Sequence, residues 1–164
     1  MNIIFLDVDG VINSIDNLIK VYNETHKPHH GYSYPFDPNC LENLKELVTR
    51  TDSRLVISST WRKSEKGMMK LLEELKKYDL DKFVIGATPF LGLDRGEEIK
   101  EYLEESNFKD DINFVILDDG IVMEELKPYL IRTNRQFGLT KEDVKKAIMQ
   151  LTKYHIKEIE DFER

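Results

Sequence analysis

The sequence predicts an α/β fold of three layers, in which helices cover both faces of a central, mostly parallel, five-stranded sheet. Short apolar runs alternate along the chain with amphipathic segments, which is the pattern of parallel strands joined by right-handed helical crossovers. Residues 3–6 and 113–117 lack the alternation of half-exposed strands, as expected of strands that are buried on both faces. Polar residues follow several of these runs, which predicts a functional site at one edge of the sheet.

The length of 164 residues predicts a single domain that covers residues 1–164. Hydrophobic residues make up 40% and charged residues 34% of the chain, which is typical of a globular protein rather than a disordered one. The net charge of −7 argues against general binding to nucleic acid or to an anionic membrane. The single cysteine, Cys40, cannot form an intramolecular disulfide, and no apolar run approaches the roughly 20 residues that span a bilayer, so we expect a cytoplasmic protein.

The region after the first strand, residues 11–37, is interpreted as a small flap or loop insert near the site. Its first part has the spacing of a short amphipathic helix, whose expected apolar face consists of Ile15, Leu18, Ile19 and Tyr22. Its second part contains three of the four histidines. The adjacent His29 and His30 are poorly arranged to chelate a metal, so a polar loop is favoured there over a metal cluster. The sequence does not predict the role of residues 26–30.

The later elements are predicted from capping residues and apolar stripes. Helices are expected to begin at the capping residues Asp37, Ser64, Asp94 and Thr140. Further strands are expected at residues 54–57, 82–87, 113–117 and 129–133. In the helix after Ser64, the expected inner face consists of Met68, Leu71, Leu72 and Leu75.

Three of the expected strands end in residues that suit chemistry. These residues are Asp7 and Asp9 after the first strand, Ser58 after the second, and Asp118 and Asp119 after the fourth. The carboxyl ends of parallel strands meet at one edge of a sheet, so these side chains should lie together. One Asp-x-Asp-Gly sequence alone is also compatible with a solvated turn, but four carboxylates at one edge repel one another unless a hard cation binds. An oxygen-only ligand set favours Mg²⁺.

These motifs resemble those of the haloacid dehalogenase (HAD) superfamily of phosphotransferases. The resemblance rests on Asp7-Val8-Asp9-Gly10, Leu55-Val56-Ile57-Ser58 and Leu117-Asp118-Asp119, which occur in the order of that superfamily over nearly the whole chain. It implies a Rossmann-like, HAD-like domain and, because the insert is short, a capless or minimally capped phosphatase with an open site. A looser resemblance to the HAD domain of RNA repair proteins rests on residues 58–62, 95–99 and 138–140.

The HAD resemblance implies a role for each motif residue. Asp7 would be the nucleophile that forms an aspartyl-phosphate, and Asp9 would protonate the leaving oxygen and later activate water. Ser58 would donate a hydrogen bond to a phosphoryl oxygen. Mg²⁺ would be bound by Asp7, by the backbone carbonyl of Asp9 and by Asp118, with Asp119 as a direct or indirect partner. An Asp two residues after the nucleophile is the phosphatase pattern of this superfamily and favours phosphate esters over dehalogenation.

The superfamily also uses a cation, usually a lysine, to bind the phosphoryl group. Arg95 is the best-placed candidate here, because a guanidinium can hold phosphate with two donors, and Lys100 is the alternative. Arg62 could contact a leaving group or a second phosphate, or it could be a surface charge beside a packed Trp61. Gly10 and Ser59 are further candidates for contact with the substrate.

The function expected from these observations is Mg²⁺-dependent hydrolysis of phosphomonoesters. The phosphorylated substrate could be a small molecule such as a nucleotide, or a nucleic-acid end. One alternative is a non-catalytic HAD-fold domain that binds phosphate or a partner. Another is a receiver domain, which also gathers acidic residues around Mg²⁺ but would lack a nucleophile at the end of its first strand. The sequence does not predict an oligomeric state.

Overall fold

The fold is seen in a computed structural model that describes residues 1–106, 112–120, 122 and 124–162, with side chains up to residue 153. Its five strands form one parallel sheet in the order β3-β2-β1-β4-β5, which confirms the expected α/β class. The strands are β1 (Asn2–Leu6), β2 (Ser53–Ile57), β3 (Val84–Ala87), β4 (Asn113–Asp118) and β5 (Leu130–Arg132).

The helices begin close to the expected capping residues. They are α1 (Ile15–Thr25), α2 (Pro38–Thr51), α3 (Glu65–Lys76), α4 (Arg95–Glu105) and α5 (Lys141–Phe162). The side chains of Asp37, Ser64 and Asp94 each accept a hydrogen bond from a backbone N–H of the first turn that follows. Short 3₁₀ helices at Thr60–Lys63, Asp81–Phe83 and Glu124–Tyr129 were not expected from the sequence. Within the described residues, no helix is both long and apolar enough to cross a bilayer.

The sheet lies between two helical layers because alternate residues of each central strand face opposite sides. In β1, Ile4 and Leu6 pack in a core with apolar residues of α2, α3 and α5. Ile3 and Phe5 pack on the other face with residues of α4 and of the 3₁₀ helix Glu124–Tyr129. Both faces of β1 are therefore fully buried, and the polar residues that follow it emerge from the centre of the sheet.

The predictions of which residues form the buried faces of α1 and α3 were partly wrong. In α1, Ile19 and Tyr22 are about half exposed (52% and 50%), whereas Asn17 and Val21 are buried. The Asn17 side chain donates to the carbonyl of Pro35 at 3.0 Å, so polar contacts with the following loop orient this helix. In α3, Leu71 and Leu75 are fully buried and Met68 is partly buried, but Leu72 is 36% exposed.

Candidate active site

The end of β1 and the end of β4 place acidic residues side by side. Leu6 pairs with Leu117 in the parallel register, and the backbone N–H of Asp7 donates to the carbonyl of Leu117 at 3.0 Å. Asp7 and Asp118 are only 6% and 3% exposed. Carboxylate oxygens of Asp7, Asp118 and Asp119 all lie within 4.8 Å of one another. The expected meeting of acids from two distant parts of the chain is thus present in the structure.

These carboxylates open on a cavity of about 690 Å³ at the carboxyl edge of the sheet. The pKa of Asp7 is raised to about 6, chiefly by burial and secondly by the nearby charge of Asp118, and this is the net result although Arg95 acts in the opposite direction. Since the unperturbed value is 3.8, the cavity disfavours a negative charge on Asp7 unless a cation compensates it. Three carboxylates at this spacing form an oxygen-only donor set that fits a hard divalent cation such as Mg²⁺.

Arg95 is the cation that the fold brings to Asp7 and Asp118. It begins α4, lines the cavity and is 27% exposed. Its Nη1 lies 3.0 Å from Oδ2 of Asp7 and forms a second ion pair with Oδ2 of Asp118. Lys100, the alternative candidate, pairs with Glu125 and does not line the cavity.

Gly10 allows the two acidic motifs to approach each other. Its φ of +81° lies in the left-handed region that favours glycine, and a Cβ atom at this position would lie 2.4 Å from Oδ2 of Asp119. The carbonyl of Gly10 accepts a hydrogen bond from the Thr133 hydroxyl at 2.7 Å, which ties the first motif to the segment after β5. Any side chain here would push the Asp119 carboxylate away from Asp7.

Asp9 lines the same cavity, but its carboxylate does not belong to the group of three acids. Its Oδ2 accepts a hydrogen bond from the indole Nε1 of Trp61 at 2.9 Å. Its Oδ1 accepts a longer one from Nδ2 of Asn13 at 3.3 Å. These two hydrogen bonds hold the Asp9 carboxylate outside the group that contains Asp7, which suits two acids with different chemical roles. The expected contact of a metal with the backbone carbonyl of Asp9 stays a prediction.

Ser58 ends β2 beside the strand that carries Asp7. Its backbone N–H donates to the carbonyl of Leu6 at 3.0 Å, and the residue is fully buried. Its hydroxyl has no hydrogen-bond partner among the described residues. Because buried polar atoms are nearly always paired, an unpaired hydroxyl at the end of the strand beside β1 is consistent with a donor kept for a ligand oxygen. Ser58 itself is not among the described residues that line the cavity.

Arg62 and Ser59 do not face the cavity, contrary to their expected contact with the substrate. The side chain of Arg62 is 5% exposed, and its guanidinium forms an ion pair with Glu98, whose side chain is 4% exposed. Its other hydrogen bonds go to the backbone carbonyls of Ser58, Ser59, Thr88 and Pro89. The Ser59 hydroxyl accepts from the N–H of Trp61 at 3.2 Å as the cap of a 3₁₀ helix. Both polar groups are thus directed to the protein itself, and we interpret both residues as structural.

Several residues that line the cavity were not predicted from the sequence to belong to the site. They are Asn13, Ile15, Leu18, Thr60, Gly120 and Arg135. The Nε of Arg135 lies 3.4 Å from Oδ2 of Asp119, and its side chain is 70% exposed. Thr60 could have been noticed because it follows Ser58 and Ser59. Arg135 carries no such signal, since it reaches the cavity only through the folding of the segment after β5.

Comparison with known proteins identifies the family. The family described as "HAD domain in Swiss Army Knife RNA repair proteins" matches residues 3–144, which is most of the chain. No curated protein and no solved structure matches the chain. The match runs from the second residue of β1 past the end of β5 and contains each of the acidic motifs, and it confirms the HAD resemblance. The chain therefore belongs to the family of HAD domains found in Swiss Army Knife RNA repair proteins.

Proposed function

We propose that the protein is a Mg²⁺-dependent phosphomonoester hydrolase that works through an aspartyl-phosphate on Asp7. The observation that carries this proposal is the group of three carboxylates within 4.8 Å, two of which, Asp7 and Asp118, form ion pairs with Arg95. Packing does not favour such crowding of like charges. Phosphoryl transfer does require charged groups close together, because it depends on positioning and on neutralising the charge of the phosphoryl oxygens.

The reaction has two steps. A carboxylate oxygen of Asp7 attacks phosphorus, the bond from phosphorus to the leaving oxygen breaks, and Asp9 gives that oxygen its proton. Asp9, now ionised, removes a proton from a water molecule that attacks the phosphorus of the aspartyl-phosphate. This second step releases inorganic phosphate, restores the Asp7 carboxylate and returns the proton to Asp9.

The remaining groups hold the phosphoryl oxygens. A bound Mg²⁺ would be held by Asp7, Asp118, Asp119 and the backbone carbonyl of Asp9, and would neutralise part of the phosphoryl charge. Arg95 supplies a fixed positive charge on the same side, and it is already directed at Asp7. The unpaired hydroxyl of Ser58 supplies a neutral donor. We leave Arg62 and Ser59 out of this set because their polar atoms are bound within the protein.

We propose a nucleotide or a nucleic-acid end as the substrate. The family description refers to RNA repair, and a cavity of about 690 Å³ has room for more than a phosphoryl group. Ile15 and Leu18 give it an apolar wall, while Thr60 and Arg135 give it polar groups. The net charge of −7 disfavours binding along the length of a nucleic acid, so recognition of an end is the better match.

A panel of phosphate esters tests the proposal. Nucleotides, sugar phosphates, oligonucleotides with 3′- or 5′-phosphates, phosphopeptides and an aryl phosphate are assayed with Mg²⁺ and with EDTA. We expect turnover that needs Mg²⁺ and that falls at least about a thousandfold in Asp7→Asn. The matched control is Lys100→Ala, which removes a cation close to Arg95 along α4 but outside the cavity and should leave the rate unchanged. Full turnover by Asp7→Asn would exclude Asp7 as the nucleophile.

One observation favours a second candidate, a non-catalytic domain that binds phosphate or a partner. Arg95 already compensates part of the charge of Asp7 and Asp118 without a metal, so the cluster could serve binding alone. Calorimetry with inorganic phosphate and Mg²⁺ distinguishes the two. Binding that Asp7→Asn leaves intact, with no turnover of any ester by the unmodified protein, would support this second function.

A further inference from the structure

We propose that Trp61 is a positioning residue, whose indole N–H holds the carboxylate of Asp9 in the orientation needed for proton transfer. This inference rests on the proposed function, in which Asp9 is the acid and base. The bond from Nε1 of Trp61 to Oδ2 of Asp9 is 2.9 Å long. The only other side-chain hydrogen bond described for this carboxylate is the longer one from Asn13, at 3.3 Å.

The chemistry of the indole makes this contact directional. An indole N–H can donate a hydrogen bond but cannot accept one. Oδ2 of Asp9 therefore stays an acceptor. Oδ1 also accepts a hydrogen bond, from Asn13, but that bond is longer (3.3 Å against 2.9 Å), so we place the transferred proton on Oδ1. The shorter bond from the rigid indole thus orients this exposed carboxylate and favours Oδ1 as the oxygen that carries the proton.

Trp61 can act as a rigid donor because its ring is fixed on several sides. The residue is 6% exposed and lies in the short 3₁₀ helix Thr60–Lys63. Its ring contacts Phe36 edge-on at a centroid distance of 5.1 Å and Tyr32 at 4.5 Å. Tyr32 is held in turn by a hydrogen bond of 2.9 Å between its hydroxyl and that of Ser64.

These contacts give the loop at residues 26–37 a route to the site. No residue of this loop lines the cavity that holds the acids. Tyr32 and Phe36 nevertheless press on the ring that binds Asp9. We therefore expect the loop to influence proton transfer through Trp61, although none of its residues lines the cavity.

The substitution Trp61→Phe tests the proposal, because it removes the N–H and keeps an aromatic ring against Tyr32 and Phe36. General acid catalysis matters most for poor leaving groups, so an alkyl phosphate and an aryl phosphate with a good leaving group are compared. We compare kcat/KM, which reports the step in which the leaving group departs, because the later hydrolysis of the aspartyl-phosphate is common to both esters. We expect kcat/KM for the alkyl ester to fall about 10- to 100-fold and kcat/KM for the aryl ester to change less than about threefold. Substrate binding should change little for either ester, since Trp61 does not line the cavity.

Three further variants complete this comparison. Asp9→Asn should show the same dependence on the leaving group, with a larger loss. Tyr32→Ala should show it with a smaller loss, because the ring of Trp61 loses one support. Leu151→Ala, a buried change in α5, weakens the fold and should affect both esters equally. A loss of kcat/KM in Trp61→Phe that is equal for both esters, or no loss at all, would overturn the positioning role while leaving the proposed hydrolase intact.

The hydrogen bond itself can be measured without turnover. Trp61 is the only tryptophan, so a ¹⁵N–¹H NMR spectrum contains a single indole N–H signal. We expect that signal to exchange slowly with solvent, and to move upfield and exchange faster in Asp9→Ala. An indole signal that is the same in both proteins would overturn the inference even if no ester is hydrolysed. A moved signal without hydrolysis would instead count against the proposed function alone.

Discussion

Arg62 and Arg95 lie near the same edge of the sheet, and both were expected to bind substrate, yet the structure uses them differently. The side chain of Arg62 is buried, with Glu98 and backbone carbonyls around its guanidinium. Arg95 faces the cavity and binds Asp7 and Asp118, next to a third carboxylate that it does not pair with. A charge that the protein satisfies completely holds the fold together, whereas a charge left partly unsatisfied at a cavity is available to a ligand.

The same contrast separates two buried carboxylates. Glu74 accepts hydrogen bonds from Lys70, from Lys77 and from the backbone of Phe36. Burial alone would raise the pKa of Glu74, but these contacts outweigh it and lower that pKa below 4.5. The pKa of Asp7 is raised instead. One acid is stabilised as an anion by the protein, and the other needs a further cation.

The largest effect on stability is expected for Arg62→Met. This change leaves the buried Glu98 without its partner, which should lower the free energy of unfolding by roughly 3–5 kcal/mol. Arg95→Met should lower the free energy of unfolding less, by about 1–2 kcal/mol, because water in the cavity can reach Asp7 and Asp118 once the guanidinium is gone. Its effect on kcat should be larger, about 10²- to 10³-fold. Urea unfolding and ester hydrolysis measure the two quantities, and an Arg62→Met protein as stable as the unmodified one would break the comparison.

Asp7→Asn should stabilise the protein in EDTA, and more so as the pH rises. The folded state favours the protonated form of Asp7, because the pKa of Asp7 is raised there to about 6. The contribution of Asp7 to the free energy of unfolding is therefore complete below about pH 4 and is lost as the pH rises through about 6. Asparagine resembles the protonated form at every pH. The variant should therefore match the unmodified protein at about pH 4 and exceed it by up to about 3 kcal/mol above pH 7.

Glu74→Gln is the matched control for this pH series. Because the pKa of Glu74 is lowered, the stability that its anion contributes is present above about pH 4.5 and is lost as the pH falls through the lower folded value. Glu74→Gln should thus destabilise the protein at neutral pH, opposite in sign to Asp7→Asn. Urea unfolding at several pH values checks both, and the same sign for both variants would contradict the contrast between satisfied and unsatisfied acids.

The smallest change in stability is expected for Ser58→Ala. The buried hydroxyl has no partner among the described residues, so its removal should leave the protein equally stable or more stable by about 1 kcal/mol. If this hydroxyl donates to a phosphoryl oxygen, kcat should still fall, by up to about 100-fold. Thermal unfolding and ester hydrolysis test this pair of outcomes. A clear loss of stability with full activity would assign Ser58 to the fold rather than to the site.

Local patterns predicted much of the fold and six of the twelve residues that line the cavity. Apolar runs without alternation predicted β1 and β4, and capping residues predicted where the long helices begin, because both depend on neighbouring residues. The same reasoning failed for Ile19, Tyr22 and Leu72, whose exposure depends on what packs against the helix. Arg135 was missed because no local pattern marks a residue that reaches the site from a distant loop.

The sequence by itself determined the class of fold and placed acids at the ends of two strands, since strand ends of a parallel sheet meet at one edge whatever else the chain does. Only the tertiary structure decided which charges are satisfied. Arg62 and Arg95 have the same side chain and both lie near strand ends, but the guanidinium of Arg62 donates to backbone carbonyls, whereas Arg95 lines a cavity. The difference is the number of hydrogen-bond acceptors that the folded chain places within about 4 Å of each guanidinium, and the spacing of residues along the chain does not predict that number.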